Sequence, residues 1–288
     1  MPFLIATAPG RADRPNEDFA AVSAHCAVLL DGVTGPPDGG GGCSHGVARH
    51  VRWLGGLLLA GLDAGRPPRA ALAEAIAGAA ALHADTCDLA DRRTPSATVV
   101  AVRATPGPGR GAPSGADGGA GRLEYLVLSD SVLLVADPGP LPDAADPRGC
   151  ALRAADGVGV VADTRLDALR ADLLRRGAPA GALEALRGVP GGFWTAGSDP
   201  RAAEEALTGT VRLDRFALMT DGATRAVEVF GDLNWGQALS LVSDKGPGAL
   251  IDRVRALEDA DPRGSGYPRG KVRDDATVVS WAPENLVH

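Results

Sequence analysis

Short apolar runs closed by Gly, Pro or Asp limit what this chain can build more than any other feature. Residues 3–8, 19–30, 96–104, 122–137 and 157–163 have the length and content of buried strands, as do "GGFWTAG", "VRLDRFALM" and the final "ATVVSW". The run at 19–30 is expected to be one strand ending at Leu30. Segments of helical period lie between these runs. Residues 43–65 carry Val47, Val51, Leu54, Leu58 and Leu62 on one side, and 68–90 carry Leu72, Ile76, Ala79, Leu82 and Leu89. Further helical stretches are predicted at 164–176, in "PAGALEALRG", after a cap at Ser198 or Asp199 with Pro200 in the first turn, and over 235–260. Strand runs separated by pairs of helices, with few strand-helix-strand alternations, predict an α+β fold with antiparallel sheets packed between helices.

Between the strands at 96–104 and 122–137 lies "TPGPGRGAPSGADGGAGR", which has almost nothing to bury and reads as a flexible hairpin loop at about 105–122, not a linker. The 288 residues are therefore read as a single domain. No run of about 18 apolar residues occurs, and the N-terminus lacks the basic start and long apolar core of a signal peptide, so a cytoplasmic, membrane-free protein is expected. A formal charge of −7 without a Lys/Arg cluster argues against nucleic acid. The cysteines, Cys26, Cys43, Cys87 and Cys150, form no C-x-x-C pair and read as reduced thiols. His45 and His50 are five apart, and Cys43 with His45 offers only two ligands, so no metal site is expected there. His25 reads as an imidazole in an apolar strand, and Trp194 and Trp235 as core anchors.

Acidic residues share one placement. Asp18 starts a strand, Asp31, Asp130 and Asp221 end strands, and Asp274 immediately precedes the last strand. A sandwich brings several such termini to one rim, where carboxylates repel one another and take up protons unless cations neutralise them. An all-oxygen set suits Mg²⁺ or Mn²⁺, whereas zinc would want His or Cys. Two such ions about 3.5–4 Å apart can clamp a phosphoryl group. Asp at strand ends is also ordinary turn chemistry, so the pattern alone leaves both readings open.

The pieces "RPNEDF", "LLDGVTG", "SATVVAV", "LVLSDSVLLV", "ALMTDGATR" and "VRDDATVVSW" occur, in order and at similar spacing, in the metal-dependent (type 2C) Ser/Thr protein phosphatases. The chain resembles that family from about residue 6 to residue 282. The resemblance implies a four-layer αββα fold: a β-sandwich of two antiparallel sheets flanked by pairs of helices. It also implies two Mg²⁺ or Mn²⁺ ions and removal of phosphate from phosphoserine or phosphothreonine in proteins by a metal-bridging hydroxide. Asp31 would bridge both ions, with the Gly32 carbonyl, Glu17 and Asp18 on one, directly or through water, and Asp221 and Asp274 on the other. Asp18, Asp31 and Asp221 would be the catalytic carboxylates. Asp274 is preferred over Asp275 from its spacing to Thr277, and Asp275 reads as a solvated or structural side chain.

The chain also departs from that pattern. Where the family often has a phosphate-binding arginine stands Asp13, flanked by Arg11 and Arg14, with Arg14 the candidate replacement. No general acid is visible at Val33. Asp130 keeps one residue of an additional metal site, but the acid expected four residues after Asp221 is Arg225, which opposes a third ion by repulsion. Arg225 could instead pair with Asp130 or the substrate phosphate. Substrate choice is expected to reside in a variable flap-like segment at 163–215. Two alternatives stay open: a phosphatase-like regulatory or binding domain, and a phosphatase of a small phosphorylated metabolite.

Overall fold

The central strands are buried on both faces, which is why their sequences read as continuous apolar runs instead of alternating ones. The computed structural model describes residues 2–33, 42–105, 107, 121–139, 150–179 and 181–283. One antiparallel sheet has six strands in the order β1 (Phe3–Ala8), β11 (Ala276–Trp281), β10 (Phe216–Met219), β6 (Val132–Val135), β8 (Val158–Asp163) and β7 (Cys150–Ala155). The other has five, in the order β2 (Asp18–Val22), β3 (Cys26–Gly32), β4 (Ala97–Thr105), β5 (Arg122–Leu128) and β9 (Leu207–Arg212).

Period-two alternation sorts the buried side chains into layers. Ala27, Leu29, Val100, Val102 and Val127 face Leu133, Phe216, Leu218 and Val279 of the other sheet. Val28, Leu30, Val99 and Leu126 point the opposite way, onto α1 (Val47–Asp63) and α2 (Pro68–Ala81). Leu134, Ala217, Met219 and Val278 do the same toward α4 (Asp221–Glu228), α5 (Trp235–Lys245) and α6 (Pro247–Ala260). Each fully buried leucine in these layers stabilises the fold by about 1.5–3 kcal/mol. The result is the expected four-layer arrangement, with Trp194 and Trp235 in its core. No helix among the described residues is long and apolar enough to cross a membrane.

Several elements differ from their sequence expectations. The run 19–30 is a hairpin: the Ser23 N–H donates to the Cys26 carbonyl, and the Ser23 hydroxyl accepts from the Cys26 N–H. His25 is therefore exposed in a turn and not within a strand. The run 122–137 is broken at Ser129–Ser131, where the chain passes from one sheet to the other, with Ser129 at φ 67°. The helix expected over 68–90 stops at Ala81, since Thr86 turns back to donate both its N–H and its hydroxyl to the His83 carbonyl. Gly246 (φ 84°) and Pro247 divide 235–260 into α5 and α6. Asp199 caps a 3₁₀ turn at Pro200–Glu205, and "PAGALEALRG" keeps only the 3₁₀ turn Glu184–Leu186. "GGFWTAG" contributes only single bridges, at Phe193 and Ala196. The stretch 164–176 forms α3 (Arg165–Arg175). Most of the loop at 105–122 lies outside the described residues.

Candidate active site

The hairpin decides the first half of the site. Had 18–31 been one strand, its ends would stand roughly 40 Å apart; with the turn at Ser23, Asp18 lies directly opposite Asp31 on β2 and β3. The neighbouring strand sets Thr98 opposite Asp31 and Ala97 opposite Gly32. The sheet crossover delivers Asp130, the junction of β10 and α4 delivers Asp221, and the approach to β11 delivers Asp274. Burial first, then repulsion from Asp221, Asp18, Asp130 and Asp274, holds the Asp31 carboxyl well above its ordinary range. Burial, with repulsion from Asp275 and Asp221, lifts Asp18 to about 7. Burial, with repulsion chiefly from Asp221, does the same to Asp130. The five carboxylates thus act on one another at a single rim.

Backbone contacts hold this rim in place. Both oxygens of Asp275 accept backbone N–H groups, from Gly10 and Glu17 at 2.7 Å each, so Asp275 is a structural tie between the first loop and the last strand. The Glu17 carbonyl accepts the Gly32 N–H. A Cβ on Gly32 would sit 2.3 Å from Val47 Cγ1 and 2.6 Å from the Glu17 carbonyl oxygen. One on Gly222 would sit 1.9 Å from the Asp275 carbonyl oxygen. Gly222→Ala is accordingly expected to destabilise the chain by about 1–3 kcal/mol, read as a lowered thermal midpoint; an unchanged midpoint would refute the close approach. Ser129 holds its left-handed conformation by donating its N–H to buried Asp163, itself paired with Arg165. Strain of this kind gathers beside functional groups, and here it aims Asp130.

Asp18 is buried, and Oδ2 accepts the Thr220 hydroxyl at 3.0 Å, while Oδ1 has no hydrogen-bond partner among the described residues. An orphaned carboxylate oxygen in a ring of mutually repelling carboxylates fits a divalent cation. Asp274 stands between two cations: Lys271 Nζ donates to Oδ1 at 2.7 Å and Arg225 Nη2 to Oδ2 at 3.1 Å. Burial raises the Asp274 carboxyl and Asp221 adds repulsion, with Lys271 and Arg225 acting against both. Burial also opposes the charge on Lys271, but Asp274, Asp31 and Asp221 outweigh it and raise that ammonium. Arg225 is buried and also donates to Glu258 at 2.6 Å, a carboxylate that Arg255 shares. Its guanidinium therefore turns to Asp274 and Glu258, not to Asp130.

Asp31, Asp130, Asp221 and Asp274 open on a cleft of about 990 Å³ that Arg170, Arg187, Arg225, Arg269 and Lys271 also line; buried Asp18 does not line it. Arg14, the sequence candidate for phosphate, is exposed and is not among the lining residues, and Arg11 pairs with Asp13. Sequence reasoning did not single out Lys271, Arg187 or Arg170. Lys271 carried one usable signal, its position three residues before Asp274; the others lie in the 163–215 segment, where no residue was assigned.

Neither a protein-family profile nor a curated protein matches the sequence. Solved structures do match over nearly the whole chain. The catalytic domain of the Ser/Thr phosphatase PstP, in complex with two manganese ions, is 18% identical, with 97% of this chain and 96% of that one covered at a TM-score of 0.52. The fold is that of the metal-dependent type 2C Ser/Thr phosphatases. Stp1 from Staphylococcus aureus shares this fold at 14% identity, with 98% and 94% covered and a TM-score of 0.55. So does the PPM Ser-Thr phosphatase MsPP from Mycobacterium smegmatis, in complex with cacodylate, at 15% identity, 98% coverage of each chain and a TM-score of 0.51. In the type 2C fold of this chain, the rim bearing the carboxylates lies where the two sheets present β3, β10 and β11 together.

Proposed function

We propose that this chain is a metal-dependent phosphomonoesterase that removes phosphate from phosphoserine or phosphothreonine in cytoplasmic proteins. The observation that carries the proposal is the convergence of Asp18, Asp31, Asp130, Asp221 and Asp274, with the Asp18 Oδ1 unpartnered among the described residues. Two Mg²⁺ or Mn²⁺ ions suit this oxygen set. Glu17, Asp18 and the Gly32 carbonyl would serve one ion, Asp221 and Asp274 the other, with Asp31 shared. When bound, such ions supply an activated water and charge stabilisation for in-line displacement at phosphorus.

The chain's own residues orient that chemistry. Thr220 accepts the Thr277 N–H and donates to Asp18, so β11 fixes the carboxylate that faces β3. Asp221 begins α4, whose N-terminal N–H groups favour negative charge at that spot. Arg225 stands where the additional site beside Asp130 would need an acid, so two ions are expected rather than three.

Arg187 stands in the cleft with Nη1 on Ser96, Nη2 on Glu184 and a buried Nε that has no partner among the described residues. It is well placed to meet a substrate anion. Arg187→Ala should raise KM for a phosphopeptide about tenfold, the loss of one charge-assisted contact, with kcat within about threefold of the parent. An unchanged KM would remove Arg187 from substrate binding.

The deciding assay is hydrolysis of para-nitrophenyl phosphate and of a phosphoserine peptide with Mn²⁺, with and without chelator. Turnover that requires metal and favours the peptide is expected. The pairing of Asp274 with both Lys271 and Arg225 favours a second reading, a phosphatase-like regulatory domain; absence of metal-dependent turnover would select it. Turnover confined to small phosphorylated metabolites would reject the protein substrate.

A further inference from the structure

The loop before α1 carries Cys43 and His45, and the turns after α2 carry His83 and Cys87. These two pairs are separated by about forty residues in sequence. Because α1 and α2 fold back on each other, the segment entering α1 and the segment leaving α2 lie at the same open end of the helical hairpin. There one potential ligand atom from each of Cys43, His45, His83 and Cys87 lies within 4.8 Å of the other three. Read from sequence, Cys43 and His45 are too few to hold an ion; the tertiary structure doubles the set.

We propose that these four residues form a structural zinc site, separate from the carboxylate rim. Two thiolates and two imidazoles are the donor set of closed tetrahedral zinc centres. Zn–S bonds of about 2.3 Å and Zn–N bonds of about 2.0–2.1 Å imply ligand-to-ligand edges of roughly 3.3–3.8 Å in a tetrahedron. The structure has Cys87 Sγ to His45 Nδ1 at 3.3 Å, Cys43 Sγ to His83 Nδ1 at 3.5 Å and Cys43 Sγ to His45 Nδ1 at 3.8 Å. Those spacings leave room for an ion at the centre and bring the right atoms to face it.

The surroundings suit an ion. His83 is buried, its Nε2 has no hydrogen-bond partner among the described residues, and its Nδ1 faces the Cys43 sulfur. A metal taken up beside that sulfur would bind the Nδ1 lone pair and fix the ring proton on Nε2. The His45 backbone N–H points at Cys43 Sγ (3.4 Å), the kind of contact that stabilises a thiolate. Trp53 packs against both His45 and His83. The two ligand-bearing segments are already tied by the Asp88 N–H donating to the Gly42 carbonyl at 2.7 Å. Gly42 has φ 64°, and a Cβ there would strike the Asp88 carbonyl oxygen at 2.5 Å. Metal binding would release both thiol protons to solvent and staple the open end of the α1–α2 hairpin. With all four positions filled by protein, the ion has no site for substrate and acts on stability.

The test uses the full chain and does not depend on phosphatase activity. Purified protein, dialysed against buffer with Mn²⁺ and no chelator, is expected to retain about one zinc per chain. An Asp31→Asn, Asp221→Asn double variant should keep that zinc, and Cys43→Ser with Cys87→Ser should lose at least about nine-tenths of it. Should the cysteine variant fail to fold, the unmodified chain stripped by chelator and reloaded with Co²⁺ should show the intense visible absorption of a tetrahedral cobalt thiolate centre. Cys43 and Cys87 should also resist thiol reagents until the metal is removed. The proposal is overturned if the folded chain binds neither zinc nor cobalt with Cys43 and Cys87 freely reactive. It is equally overturned if those two cysteines are found joined as a disulfide without metal, or if the zinc disappears with Asp31 and Asp221 instead.

Discussion

Asp31→Asn is expected to lower metal-dependent hydrolysis of a phosphoserine peptide by about 10³-fold or more while the chain stays folded. Partners that merely orient a metal ligand cost about 10–100-fold when removed, and Asp31 is proposed to serve both ions. The substitution keeps volume and hydrogen-bonding shape, so the packing of β3 between β2 and β4 is preserved. It also removes the charge that Asp221, Asp18, Asp130 and Asp274 most strongly oppose. The metal-free variant should therefore be at least as stable as the metal-free parent, although it is less active. That divergence separates a functional carboxylate from a structural one. Activity within about tenfold of the parent would exclude Asp31 as a shared ligand. A less stable variant would mean that its carboxylate is a structural acceptor.

The second large effect is the pH dependence of stability when metal is removed. Asp18 and Asp130 titrate near about 7 in the folded chain, against about 3.9 for an unfolded aspartate. Between those values the folded state binds more protons than the unfolded state, so the slope of unfolding free energy with pH is negative. Their contribution is most favourable below about pH 4, is lost as pH rises through about 7, and is flat above. Asp261, held at about 2 mainly by its hydrogen bond from Arg269, behaves oppositely, but its contribution is lost only as pH falls from about 4 toward about 2. In the window between, buried His50, held below its ordinary range, and Cys87, lowered to about 5, also oppose the rim, but its four raised carboxylates, Asp18, Asp31, Asp130 and Asp274, outnumber them. Chelated protein should have a lower thermal midpoint at pH 7.5 than at pH 5.5. Saturating Mn²⁺ should raise the midpoint by ~5 °C or more at pH 7.5, and less at pH 5.5 where protons compete for the same oxygens. Equal Mn²⁺ shifts at the two pH values would show that these carboxylates are not the metal's ligands.

Part of this was legible residue by residue. Leu29, Val100 and Leu133 belong to apolar runs too short for anything but strands, and Val51, Leu54 and Leu58 recur at helical period. Asp31, Asp221 and Asp274 stand at ends of such runs, and both signals depend only on neighbours in sequence. Breaks hidden inside an apolar run were not legible. Nothing in the composition of 19–30 forces the turn at Ser23, and only the pairing of β2 with β3 reveals that it brings Asp18 onto Asp31. Likewise "LSDSV" reads as continuous strand, while packing against two different sheets bends it at Ser129. Arg225 was visible as a cation where an acid was expected, yet its partners, Glu258 and Asp274, lie 33 and 49 residues away.

By itself, then, the sequence determined the strand and helix content and the acidic residues that close the strands, because periodicity and chain termination are local properties. Only the tertiary structure decided which charges share a rim, which cation holds Asp274, and that Cys43 and His45 meet His83 and Cys87. Those are contacts between segments far apart in the chain. Folding two sheets and a helical hairpin against one another sets them, through burial that no single segment can achieve alone.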